Sequence, residues 1–89
     1  MRLAHEEQSA IRQADSQAQI FLFGSRVDDA AKGGDIDLLV LSKRINLITK
    51  LKILSQLHQK LGDRKIDIAV YHDTTRPFPR MVIQEAVRL

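Results

Sequence analysis

The sequence predicts a small α/β domain, a mixed three-stranded sheet packed with helices. Two observations carry this. Short apolar runs at 19–23, 35–41 and 65–71 have strand length, whereas the segments around them repeat apolar residues at helical spacing. The stretch between the second and third runs is also long enough to be the crossover helix that a parallel strand pair requires.

The elements follow in order. Residues 3–17 are rich in Ala, Gln, Glu and Arg, with Leu3, Ile11, Ala14 and Ala18 at helical spacing, and read as a helix. Gln19–Phe23 is an apolar strand that stops at Gly24. Ser25–Lys32 allows one or two helical turns, which Gly33-Gly34 break. Asp35–Leu41 is the second strand. From Arg44 to Leu61 the period changes, and Leu47, Ile48, Leu51, Leu54, Leu57 and Leu61 mark one helix face, with Gly62 where a C-terminal cap belongs. Lys65–Tyr71 alternates and is β-branched, giving the third strand. His72–Pro79 reads as a loop because Pro77 and Pro79 oppose regular structure, and Arg80–Val87 reads as a closing helix.

Eighty-nine residues suit one domain, 1–89. Without cysteine there is no disulfide framework and no thiolate metal site, which suits a cytoplasmic protein. No apolar run is long enough to span a bilayer, so no membrane is expected, and Glu6 and Glu7 stand where a signal peptide needs apolar residues. The net charge is +3, and its excess is local: Lys43, Arg44, Lys50, Lys52 and Lys60 lie in a stretch without any acid. Such a stretch is either a solvated helix face or a surface that attracts phosphates or an acidic partner. One Tyr and three Phe make a base-stacking platform a poor expectation, so nucleic acid is the weaker choice of partner.

The chemistry centres on residues 24–37. Alternation puts Asp35 and Asp37 on one strand face and Ile36, Leu38 and Val40 on the other. A crossover helix returns the chain to the sheet end where the second strand began, so Asp67 arrives beside Asp35 and Asp37. An antiparallel first strand would exit at that same end, at Gly24-Ser25. Clustered carboxylates repel unless a cation neutralises them, and oxygen ligands without His or Cys favour Mg²⁺ or Mn²⁺. Gly24-Ser25 offers a hydroxyl, free N–H groups and a glycine that admits phosphate. Each piece has a plainer reading. Ser25 with Asp28 fits a capping box, Asp-x-Asp can be a solvated strand start, and Asp67 can pair with Lys65 or Arg64.

Together the residues resemble the minimal nucleotidyltransferase domains of the DNA polymerase β-like superfamily. The signature there is Gly-Ser, nine or ten residues, Asp-x-Asp, and a third Asp on a later strand. Here Gly24-Ser25 is followed by nine residues, then Asp35-Ile36-Asp37, and "KIDIAV" supplies Asp67; "IQEAVRL" resembles the family's terminal helix. The resemblance implies the polymerase β-like palm fold and transfer of a nucleotidyl group from an NTP, with pyrophosphate leaving. It makes Asp35, Asp37 and Asp67 catalytic metal ligands, with Asp67 also helping to activate the attacking hydroxyl. It places the triphosphate at Gly24 and Ser25, with Arg26 beside them as a further candidate contact. Minimal members are commonly antitoxins whose partners are helical HEPN toxins, and some transfer AMP from ATP to a tyrosine hydroxyl of that toxin. The resemblance therefore implies ATP and Mg²⁺ (or Mn²⁺), a HEPN-domain toxin encoded nearby, and a hetero-oligomer. Its alternatives are an antitoxin that masks the toxin without turnover and a nucleotidyltransferase acting on RNA or a small molecule. The basic helix and the segment around Pro77-Phe78-Pro79 are candidate partner contacts, with core packing an equal reading of Phe78.

Overall fold

A computed structural model describes residues 5–24, 36–62 and 65–89. Helix α1 (His5–Ala14) leads into β1 (Gln19–Phe23); β2 (Ile36–Leu41) follows, then α2 (Leu47–Leu61), β3 (Ile66–Tyr71), a short α3 (Pro77–Val82) and β4 (Val87–Arg88). The sheet order is β3-β2-β1-β4. β1 is antiparallel to β2 and to β4, and β2 is parallel to β3. The mixed α/β architecture is the expected one, with a fourth strand added. The turns expected over Ser25–Lys32 lie outside the described residues.

Alternation in the strands divides the core into two layers. Ile20, Leu22, Ile36, Leu38, Val40, Ile66 and Ile68 face α1 and α2, where they meet Ala10, Ile11, Ile53 and Leu57. Phe21 and Leu39 face the other way and pack with Val82 of α3, beside the partly buried Phe23, Leu41, Ala69 and Tyr71. Helix α2 begins where the Asn46 side chain accepts a hydrogen bond from the Thr49 N–H at 2.9 Å, later than the expected start at Arg44. It ends at Gly62 as expected, with φ +72°.

Two expectations are corrected. Pro77 and Pro79 do not bar structure but open α3, because the first helical turn has no use for their missing N–H groups. The closing helix therefore starts earlier than Arg80 and ends at Val82. The residues beyond it turn, and Val87 and Arg88 pair with Leu22 and Phe21 as β4. The leucine stripe of α2 is also not wholly a core face. Ile53 and Leu57 are its buried residues, Leu54 and Leu61 are partly buried, and Leu47, Ile48 and Leu51 point to solvent.

Candidate active site

The parallel register sets Asp37 of β2 directly beside Asp67 of β3. Neighbouring strands lie about 4.8 Å apart, and register partners project to the same face, so the two carboxylates share one sheet face. That face is the α3 side, because Leu39 and Ala69, two residues on, belong to the layer packed by α3. On the other flank of Asp37 stands Phe23, its antiparallel partner on β1. The first cross-strand row is thus Phe23, Asp37, Asp67.

Gly24 closes the row. Its φ of +92° is one that side chains rarely allow, and a Cβ there would come within 2.9 Å of Asp37 Oδ2. Glycine is required twice, for backbone shape and for room against the carboxylate. Gly24, Asp37 and Asp67, distant in sequence, are therefore brought together at one sheet end. Ser25, Arg26 and Asp35, the remaining expected site residues, lie outside the described residues.

Asp67 is exposed, and its ion-pair partner is Lys65, at 4.0 Å between two side chains that are 69% and 62% exposed. Such a contact leaves the carboxylate free to take another cation. A cleft of about 260 Å³ runs along this edge, lined by Phe23, Asp67 and Ala69 and by Lys50 and Leu54 of α2. Adjacent carboxylates, oxygen donors only and a glycine cradle fit a hard divalent cation. Among the described residues no three His, Cys, Asp or Glu converge on one point.

The rows beyond are structural. Tyr71, on the same face as Asp67 but at the far end of β3, packs against Phe78 with ring centroids 5.7 Å apart, and Phe78 meets Phe23 edge-on at 5.9 Å. Tyr71 and Phe78 are thus packing residues of the α3 layer. Sequence reasoning missed the polar cluster at the opposite end of the sheet. There Ser42 Oγ donates to Asp15 Oδ2 at 2.6 Å and accepts from the N–H groups of Arg44 and Ile45. The Gln17 N–H donates to Asp15 Oδ1 at 3.0 Å. The Ser42 hydroxyl, then the Gln17 amide and the charge of Arg44, hold the Asp15 carboxyl below its ordinary value. The signal was a Ser after a strand and an Asp after a helix, both common in turns.

The profile of one family, "Polymerase beta, Nucleotidyltransferase", matches residues 8–89. The chain belongs to that family. A search of curated proteins finds no match. Among solved structures, the polymerase β nucleotidyltransferase domain described here is similar to a chain from the crystal structure of a mutant of the toxin–antitoxin MntA-HpeT. The TM-score is 0.67 and the identity 21%, over 96% of this chain and 68% of that one. At that identity the likeness is one of fold. Among the described residues no helix is long and apolar enough to cross a membrane.

Proposed function

We propose that the chain is a divalent-metal-dependent nucleotidyltransferase acting as the antitoxin of a toxin–antitoxin pair. It would transfer AMP from ATP to a tyrosine hydroxyl of a HEPN-type toxin. The observation that carries this reading is the register pair Asp37–Asp67 with Gly24 seated against the Asp37 carboxylate. Family membership supports the reaction class. The toxin–antitoxin description of the similar structure motivates the biological role.

In the proposed reaction the tyrosine oxygen attacks the α-phosphorus of ATP. A P–O bond forms, the bond between the α-phosphorus and its bridging oxygen breaks, and pyrophosphate leaves with that oxygen. Asp67, whose carboxylate is exposed, accepts the hydroxyl proton. Asp37 and Asp67, together with Asp35 from the sequence pattern, would hold Mg²⁺ or Mn²⁺. The ion supplies charge neutralisation for the attacking and leaving oxygens. Gly24 leaves room for the Asp37 carboxylate, and Gly24, Ser25 and Arg26 would supply the triphosphate contacts expected from the sequence.

The test is incubation with α-labelled ATP, Mg²⁺ and the purified HEPN-type protein encoded beside this chain. Label on the partner, lost with Asp37→Asn and with chelator, is the expected result. Tight binding without label under varied metals would leave an antitoxin that acts by masking, and label on RNA instead of protein would replace the acceptor.

A further inference from the structure

The first two turns of α2 are unlike the rest of the surface. Leu47, Ile48 and Leu51 are 67%, 65% and 55% exposed. They stand at positions i, i+1 and i+4 and so form one continuous patch. The helix does not need them for its own packing, which Ile53 and Leu57 supply further along. Its start is held by the Asn46 cap. Lys50 and Lys52 lie among the three aliphatic residues and, among the described residues, make no ion pair; no acid occurs between Lys43 and Lys60. An aliphatic patch rimmed by charge of one sign is the surface of an interaction site.

We propose that this patch docks an amphipathic helix of the toxin partner, one whose aliphatic stripe is flanked by Asp or Glu. The inference rests on the toxin–antitoxin reading above and adds the surface and the chemistry of its occupant. Two observations select that occupant. The charge favours an acidic partner over a second copy of this chain, whose lysines would face these across a symmetric interface. The position suits an acceptor protein, since Lys50 and Leu54 also line the cleft that holds Asp67. Leu47, Ile48 and Leu51 open α2 at the Ser42 end of the sheet, so a partner seated there borders the cleft only through Lys50, on the rim of the patch.

The experiment is a calorimetric titration of the HEPN-type protein encoded beside this chain into wild-type protein and three variants. Circular dichroism serves as the control for folding. Leu47→Ala/Leu51→Ala should weaken binding at least thirtyfold, and Lys52→Glu about tenfold, with wild-type affinity falling as salt is raised. Asp37→Asn should bind as wild type does while losing the transferred label. Wild-type affinity in the double leucine variant would overturn the docking surface and leave the transferase reading intact. No binding by the wild type would overturn both. Self-association of the wild type that disappears in Leu47→Ala/Leu51→Ala would make the patch a dimer surface and overturn the proposed occupant.

Discussion

At one end of the sheet Asp15 is 6% exposed and both of its carboxylate oxygens accept hydrogen bonds, from Ser42 and from the Gln17 amide. At the other end Asp67 lies open to solvent with a 4.0 Å contact to an equally exposed lysine. Both are aspartates at the margin of the same sheet, yet their surroundings differ in kind. A carboxylate that serves the fold is provided with donors when it is buried, because leaving it unsatisfied there is costly. Asp67 has instead a second carboxylate, Asp37, as its register partner on the next strand. The contrast is between an acid held by the fold and an acid left open to solvent.

The largest effect should come from the carboxylate row. Asp37→Asn keeps the size and shape of the side chain and removes its charge, so transfer should fall by at least about a thousandfold. Added Mg²⁺ and a non-hydrolysable ATP analogue should raise the thermal midpoint of the wild type and not that of the variant. A variant that retains wild-type turnover would erase the distinction between the two ends. Gly24→Ala comes next. Its Cβ would meet Asp37 Oδ2 at 2.9 Å, and alanine at φ +92° is strained. A loss of about 1–3 kcal/mol in denaturant unfolding should accompany the loss of activity. Loss of activity with unchanged stability would mean that the backbone relaxes and that only the room beside Asp37 matters.

Much of this contrast can be read in the sequence at one end and little at the other. The three main strands, the crossover helix and its Gly62 cap follow from apolar period and turn chemistry, which are local signals. Crossover topology then brings Asp37 and Asp67 to one edge, so pairing of residues thirty positions apart is also predictable. The Asp15–Ser42 bond is different. Its partners are 27 positions apart, and nothing in either neighbourhood marks them as mutual. Strand β4 escapes because two residues carry no period, and its pairing with β1 is decided by tertiary packing. The α2 stripe misleads for a related reason: helical period says which residues share a face, not what covers that face.

The structural end should respond through stability and pH rather than turnover. Ser42→Ala removes the first cause of the lowered Asp15 value and leaves that acid with one donor fewer. It should lower the thermal midpoint by a few degrees at pH 7 without changing the transfer rate of the surviving folded protein. The sign of the pH effect follows from the direction of the shift. Because Asp15 binds its proton less readily in the folded chain than the ordinary value of 3.8, its contribution is fully present above that value. It is lost as pH falls through the lower, folded value. Thermal melts between pH 7 and pH 2.5 should therefore show a shallower acid decline for Asp15→Asn than for wild type, and parallel curves would remove Asp15 from this role.

The smallest expected effect is the most direct test of how Asp67 is held. Lys65 and Asp67 are 4.0 Å apart, with side chains that are 69% and 62% exposed, so water and salt screen their attraction. Lys65→Ala should change unfolding stability by no more than about 0.5 kcal/mol. If Asp67 is reserved for a cation other than Lys65, removing the lysine also removes a competitor. The Mg²⁺ concentration for half-maximal transfer should then stay the same or fall slightly in titrations at low ionic strength. A marked rise would mean that Lys65 orients Asp67 for the metal, making the open end of the sheet more like the donor-filled end at Asp15.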